Sequence, residues 1–134
     1  MGNRILVVDD EKEIADVIEL YLKNEGFEVE KFYTGKDALV SIEKAAPDMA
    51  LLDVMLPDID GFEVLQKIRE KYNFPVIMLT AKTEYMDKIN GLMLGADDYM
   101  AKPFNPLELI ARVQSTDASV YQVQYRRKGT GRCD

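Results

Sequence analysis

Apolar and polar positions along residues 1–114 follow two alternating patterns. The run at Arg4–Val8 is apolar almost throughout, which is typical of a strand covered on both faces of a sheet. From residue 12 to residue 25, apolar side chains recur instead at the spacing of one helix face. They are Ile14, Val17, Ile18, Tyr21 and Leu22. The chain therefore begins with a predicted strand and a predicted amphipathic helix.

The same alternation continues and predicts five strand–helix units. The predicted strands, β1 to β5, are 4–8, 28–33, 49–52, 75–80 and 98–101. The predicted helices, α1 to α5, are 12–25, 35–45, 62–71, 85–94 and 107–114. Thr34 is placed to cap α2, and the alternation in β2 favours a position near an edge. Short connections between such units predict an α/β, (βα)5 doubly wound fold with a parallel sheet.

Composition narrows the function class. A chain of 134 residues with 47% hydrophobic and 31% charged residues suits one globular domain. No apolar run reaches the roughly 18 residues of a membrane span, and the single cysteine fits a reducing compartment, so we expect a cytoplasmic protein without membrane contact. The absence of histidine excludes Ser-His-Asp catalysis and His-ligated metal sites. A net charge of −7 disfavours direct nucleic-acid binding.

Five chemically useful side chains stand where predicted strands end. Asp9 and Asp10 follow β1, Asp53 follows β3, Thr80 ends β4 and Lys102 follows β5. Because the carboxyl ends of parallel strands meet at one edge of a sheet, we expect these side chains to share one pocket.

Three neighbouring carboxylates repel one another and need a cation to stay ionised. Oxygen ligands with room for water suit Mg²⁺, with Mn²⁺ as a substitute. A carboxylate is also a nucleophile toward a phosphoryl group, so we predict an acyl phosphate on Asp53, with Lys102 and Thr80 beside it. Each of these residues also has a plainer interpretation when it is taken singly. Asp10 could be a helix cap, Thr80 a residue at a strand end and Lys102 a solvated charge. Asp58 and Asp60 are interpreted as turn residues.

Four segments resemble the receiver domains of two-component response regulators. They are ILVVDDE at 5–11, LLDVMLPDIDGFEVL at 51–65, PVIMLTA at 75–81 and GADDYMAKPFNPLELIARV at 95–113. The last segment resembles the OmpR/PhoB subfamily, and EIADVIELYLKNEGFEV at 13–29 resembles its VanR-type branch. The resemblance implies a flavodoxin/CheY-like fold with strand order 2-1-3-4-5. It also implies a phosphorylation-activated signalling switch in transcriptional control, and no enzyme beyond slow self-phosphorylation and self-dephosphorylation.

The resemblance also implies roles for individual residues. Asp53 would accept the phosphoryl group from a phosphohistidine on a sensor histidine kinase. Asp10, Asp53 and the backbone carbonyl of Met55 would ligate Mg²⁺, and Asp9 would do so through water. Lys102 would pair with the phosphoryl oxygens, and the bond from Lys102 to the following proline would be cis.

The signal would leave through the α4–β5–α5 face. Thr80 and Tyr99 would be the switch pair, with the hydroxyl moving toward the phosphoryl group and the ring turning inward behind it. In the OmpR/PhoB subfamily this face forms a homodimer held by charged pairs. The residues at matching positions are Lys88, Asp97, Asp98, Glu108 and Arg112. A solvated mixed-charge surface is the alternative interpretation.

The resemblance ends at Gln114. We predict a receiver domain at 1–114 and an atypical tail at 115–134, which is either disordered or the product of a frameshift or of cloning. The winged-helix DNA-binding domain of full-length relatives is absent from these residues, so we expect no direct binding of nucleic acid by this chain.

Other functions remain as alternatives. One is a receiver that signals without phosphorylation. Another is an Asp-nucleophile phosphatase of the haloacid-dehalogenase type, which needs an acid where Met55 stands. A flavodoxin-like cofactor binder would need a Ser/Thr/Gly-rich loop where the chain has Asp-Asp-Glu.

Overall fold

A computed structural model of the chain describes residues 3–81 and 95–116. Strands β1 to β5 are Arg4–Val8, Glu28–Phe32, Met49–Asp53, Val76–Ala81 and Asp98–Lys102. The described helices are α1 at Lys12–Asn24, α2 at Gly35–Lys44, α3 at Gly61–Lys71 and α5 at Pro106–Thr116. The predicted α4 at 85–94 lies outside the described residues, and the last helix keeps the label α5.

The strands form one parallel sheet in the order β2-β1-β3-β4-β5. This confirms the predicted α/β fold and its strand order, including the edge position of β2. The connection after β1 leads to β2 on one side of β1, and the connection after β2 leads to β3 on the other side of β1. The crevice where the connections diverge therefore lies between the carboxyl ends of β1 and β3, where open α/β sheets usually bind their ligands.

Helices cover both faces of the sheet. On one face, Leu52 packs in a buried cluster with Leu65 of α3; on the other, Leu51 packs in a second cluster with Ile18 of α1 and Leu109 of α5. Full burial of side chains of this size contributes about 1.5–3 kcal/mol each, which makes the central strands the most strongly anchored elements. None of the helices described is both long and apolar enough to cross a membrane.

Most predicted elements differ from the observed ones by one residue at an end, and two larger details also differ from the sequence-based expectations. In α1 the buried stripe is Ala15, Ile18 and Leu22, whereas Val17 and Tyr21 are exposed. At 3.6 residues per turn, positions 17 and 21 lie about 100° around the helix from that stripe, so the apolar face is wider than the sheet covers. Helix α5 runs two residues past the predicted end, to Thr116, whose hydroxyl donates to the carbonyl of Arg112 at 2.6 Å.

Gly61 permits the close approach of α3 to the end of β3. It is the first residue of α3, and its N–H donates to the carbonyl of Val54 at 2.9 Å. A Cβ atom there would stand 2.2 Å from the backbone oxygen of Asp53 and 2.8 Å from Cα of Val54. Only glycine allows the helix to begin against the backbone that carries Asp53.

We expect Gly61→Ala to lower the free energy of unfolding by about 1–3 kcal/mol, because the clash is with backbone that must shift. Gly35→Ala is the matched control. Gly35 also begins a helix, but the atoms nearest to a Cβ atom there belong to the side chains of Ile59 and Val64 and not to backbone, so we expect a smaller loss of stability. Urea unfolding followed by circular dichroism measures both. An equal or larger loss for Gly35→Ala would contradict this account.

Candidate functional site

Three carboxylates meet at the crevice between β1 and β3. Asp9 follows β1 directly and is 0% exposed, Asp53 is the last residue of β3 and is 4% exposed, and Asp10 is exposed. One oxygen from each lies within 4.8 Å of the others, a spacing at which all three could ligate one metal ion. The parallel register brings the three predicted acids together.

Lys102 supplies the positive charge at this crevice. Its Nζ lies 2.9 Å from Oδ2 of Asp9, 3.2 Å from Oδ2 of Asp53 and 3.2 Å from Oε1 of Glu11. Lys102 is the last residue of β5, two strands away from β3, and its side chain reaches back over the sheet edge. The peptide bond from Lys102 to Pro103 is cis, as the sequence resemblance predicts.

Burial and neighbouring charges shift the pKa values of Asp53 and Lys102 in this cluster. Burial, together with the nearby charge of Asp9, raises the pKa of Asp53 to about 6, although Lys102 acts in the opposite direction. Burial alone would lower the pKa of Lys102, but the hydrogen bond to Asp9 and the charges of Asp53 and Asp9 outweigh it and raise that pKa above its usual value. Lys102 therefore stays an ammonium ion, and the pocket still carries excess negative charge.

The crevice is open to small molecules. It is a cleft of about 570 Å³ whose lining residues come from α1, from the ends of β3 and β5, and from the loops that follow β1, β3 and β5. They are Asp10, Glu11, Ile14, Asp53, Met55, Lys102 and Pro103. The Met55 side chain is 72% exposed at the rim, and its backbone N–H donates to Oδ1 of Asp53 at 3.3 Å. One oxygen of the Asp53 carboxylate thus contacts Nζ of Lys102, and the other accepts a hydrogen bond from the loop that follows β3.

Thr80 and Tyr99 are both buried. Thr80 lies on β4 beside the cluster, is 4% exposed, and its hydroxyl has no hydrogen-bond partner among the residues described. Tyr99 is 6% exposed and its ring packs in the same apolar cluster as Leu65 and Met78. Both side chains of the predicted switch pair are therefore largely shielded from solvent.

The predicted dimer-face charges are paired within the chain. Arg112 Nη1 contacts both carboxylate oxygens of Asp98, at 2.9 and 3.0 Å, and its Nε contacts Glu108 at 3.0 Å. Asp97 pairs with Arg69 at 2.8 Å and accepts from the N–H of Val76 at 2.9 Å. Lys88, the fifth predicted residue, lies outside the described part of the chain.

Two residues of the site region were not assigned there by the sequence. Glu11 contacts Lys102, and only its position directly after Asp10 could have suggested this. Asp58 lies in the bend between β3 and α3, in agreement with its interpretation as a turn residue, and its carboxylate in addition accepts hydrogen bonds from the N–H groups of Gly35 and Lys36 at the start of α2. Asp60 fits its interpretation more closely, since it caps α3 by accepting from the N–H of Phe62 at 2.7 Å.

The arrangement suits chemistry on an anionic group. Asp53 offers a carboxylate oxygen at an open cleft, Lys102 offers a cation beside it, and the acids around them form an all-oxygen donor set of the kind that Mg²⁺ prefers. Partly buried carboxylates with a net negative surplus are stabilised when such a cation binds, so the residues present fit a divalent metal ion.

Known proteins resemble this chain along most of its length. The family model for the response regulator receiver domain matches residues 5–114. The regulatory protein VanRc of Enterococcus gallinarum is 64% identical over 115 residues, which are 86% of this chain and 50% of that protein. The chain thus spans about half the length of the curated relatives it matches.

Solved structures of response regulators superpose on this chain. A CheY-like receiver domain protein from Methanospirillum hungatei superposes with a TM-score of 0.84 at 33% identity, covering 91% of this chain and 98% of that one. The response regulator DrrB, an OmpR/PhoB homologue from Thermotoga maritima, superposes with a TM-score of 0.79 at 40% identity, covering 86% of this chain and 52% of that one. The sequence resemblance is confirmed, and the chain belongs to the response regulator receiver domain family.

Proposed function

We propose that this chain is a phosphorylation-activated switch in which Asp53 accepts a phosphoryl group from a sensor histidine kinase. The observation that carries the proposal is the position of the Lys102 ammonium, 3.2 Å from Asp53 and 2.9 Å from Asp9, above an open cleft. An ammonium at that place would neutralise the oxygens of a phosphoryl group on Asp53.

The only covalent step that the protein performs in the transfer is the attack by the Asp53 carboxylate. A carboxylate oxygen of Asp53 attacks phosphorus, the O–P bond forms, and the N–P bond to the donor histidine breaks with its electron pair leaving on the imidazole nitrogen. The chain's lack of histidine is compatible with this, since the donor histidine is on the partner. Asp53 must be ionised to attack, so its raised pKa makes cation binding part of the preparation of the site.

Asp10, Asp53 and the backbone carbonyl of Met55 would hold Mg²⁺, or Mn²⁺ in its place, with Asp9 acting through water. The bound ion would supply charge neutralisation and an anchor for phosphoryl oxygens. Its support is the donor set: three carboxylates with oxygens within 4.8 Å, two of them buried.

The output would be a packing change. A phosphoryl group brings close to two negative charges, and the Thr80 hydroxyl, which has no hydrogen-bond partner within residues 3–81 and 95–116, would be a donor available for it. If Thr80 moves toward the phosphoryl group, the Tyr99 ring occupies the space behind it, and the change reaches the α4–β5–α5 face. There a homodimer would form by exchanging pairs that Asp98, Glu108 and Arg112 now make within one chain.

The proposed function also implies a division of the protein into domains. Residues 1–114 would be the receiver, 115–134 an atypical tail, and the full-length protein would carry a C-terminal winged-helix domain controlled by the receiver. Its support is that the family model ends at residue 114 while the relatives are about twice as long.

Incubation with acetyl phosphate and Mg²⁺ should add the mass of one phosphoryl group. Asp53→Asn should add none, because an amide is not a nucleophile of this kind, and removal of Mg²⁺ by a chelator should abolish the gain. Intact-protein mass spectrometry is the measurement. The matched control is Asp48→Asn, an acid beside the opposite end of β3, which should be phosphorylated normally.

A gain that persists in Asp53→Asn would place the phosphoryl group elsewhere and overturn the proposal. The absence of any gain in the folded wild-type chain, judged by circular dichroism, would favour instead a receiver that signals without phosphorylation.

Without metal, stability should depend on pH through Asp53. Its pKa is about 6 in the folded chain against an ordinary value of 3.8, so the folded state binds the proton more tightly than the unfolded state. The free energy of unfolding contributed by this group therefore falls as pH rises from about 4 to about 6. Asp53→Asn cannot titrate, so its stability relative to wild type should rise by about 2 kcal/mol across that window.

Urea unfolding at pH 4, 5, 6 and 7 in chelator measures this difference, with Asp48→Asn again as the control. A stability difference between Asp53→Asn and wild type that is flat, or that falls with pH, would contradict the account of the buried acid pair.

A further inference from the structure

Asp58 joins the loop after the phosphoacceptor to a different helix. It lies in the loop 54–60 between β3 and α3, yet its carboxylate contacts the start of α2. Oδ1 accepts from the N–H of Gly35 and Oδ2 from the N–H of Lys36, both at 2.9 Å. The first N–H groups of a helix have no partner within it, so both bonds satisfy donors that would otherwise need water.

The charge of Asp58 is well matched to this position. Asp58 is exposed. Desolvation by its neighbours would raise its pKa, but hydrogen bonds from backbone N–H groups, those of Lys36 and Gly35 first, outweigh this and lower the pKa below its usual value. Thr34 caps the same helix separately, accepting from the N–H of Asp37 at 3.2 Å. The amino end of α2 is therefore capped by Thr34, which directly precedes the helix, and by Asp58 of the loop.

Close packing reinforces the contact. A Cβ atom on Gly35 would stand 2.7 Å from Ile59 of the loop and 2.8 Å from Val64 of α3, so the loop and the first turn of α3 both lie directly against the start of α2. At the base of the loop, the N–H of Gly61 donates to the carbonyl of Val54 at 2.9 Å. The segment that contains Met55 is thus held at both ends, at Val54 by α3 and at Asp58 by α2.

We propose that Asp58 is a positioning residue for the metal and phosphoryl site: by fixing the loop 54–60 on α2 it holds the backbone of Met55 against Asp53. This inference rests on the proposed function. The Met55 N–H reaches Oδ1 of Asp53, and its carbonyl belongs to the same short segment, so a shift of the loop changes the donor set of the ion. Asp58 is not among the residues that line the cleft, so it would act on the site through Met55.

The test compares Asp58→Asn with two matched controls. Asp60→Asn removes the same charge from the same loop but leaves the contact with α2 intact. Thr34→Ala weakens the cap of α2 without touching the loop. Isothermal titration calorimetry with MgCl₂ gives the dissociation constant for Mg²⁺, and intact mass after acetyl phosphate gives the rate of phosphorylation.

Asp58→Asn should raise the dissociation constant for Mg²⁺ about 10-fold, the size of effect seen when groups that orient metal ligands are lost. Its phosphorylation should be slow at low Mg²⁺ and recover at saturating Mg²⁺. Both controls should stay within about twofold of wild type, because solvent and salt screen an exposed charge and a helix cap affects stability instead. Asp58→Glu, which keeps the charge but displaces the carboxylate, should also weaken Mg²⁺ binding and covers the case in which Asp58→Asn fails to fold.

Equal effects of Asp58→Asn and Asp60→Asn would reduce the role of Asp58 to charge alone, and equal effects of Thr34→Ala would reduce it to the stability of α2; either result overturns the inference. Wild-type affinity in Asp58→Asn or Asp58→Glu overturns it as well. In all these cases the wild-type chain still binds Mg²⁺ and takes a phosphoryl group, whereas a wild-type chain that does neither refutes the proposed function itself.

Discussion

The need to neutralise buried carboxylates at the end of β1 and β3 is the constraint on which the rest of the site depends. Asp9 and Asp53 are almost completely buried, and two such charges side by side are costly unless a cation joins them. Lys102 meets this need from β5. Because β4 lies between β3 and β5, the ion pair requires the full strand order, and a slip of one strand would leave buried charge without a partner.

The pairing is incomplete, and this incompleteness is chemically useful. One ammonium serves three carboxylates, those of Asp9, Glu11 and Asp53. It does not offset the burial and the charge of Asp9, which raise the pKa of Asp53 to about 6. A site that was fully neutralised would gain little by binding a cation or an incoming phosphoryl group. The excess negative charge would favour the binding of the proposed divalent ion and would lower stability in its absence, as is common at functional sites.

Much of this could be predicted from the sequence, because the fold follows from local patterns. Alternating strand and helix periodicities predict the sheet, and a parallel sheet brings Asp53 and Lys102 to one edge whatever the details of packing. The contacts of Asp58 could not be predicted in the same way, since Asp is equally suited to a turn and to a helix cap, and its partner helix precedes it by more than twenty residues. The exposure of Val17 escaped prediction for a related reason: periodicity shows which residues are apolar, whereas the width of the covered stripe depends on how the helix lies on the sheet.

Strand β5 is the element through which the site and the proposed output face are joined. Lys102 stands at its end, Tyr99 is buried within it, and Asp98 at its beginning pairs with Arg112 of α5. The register pairs Thr80 of β4 with Ala101, directly beside Lys102. In the proposed switch a phosphoryl group would compete with Asp9 and Glu11 for Lys102 and would draw the Thr80 hydroxyl. The first movement would act on β5 itself, and the second would act on β4 at the residue paired with Ala101 of β5. In this proposal a charge on Asp53 needs no longer path to alter the pairs that Asp98 makes.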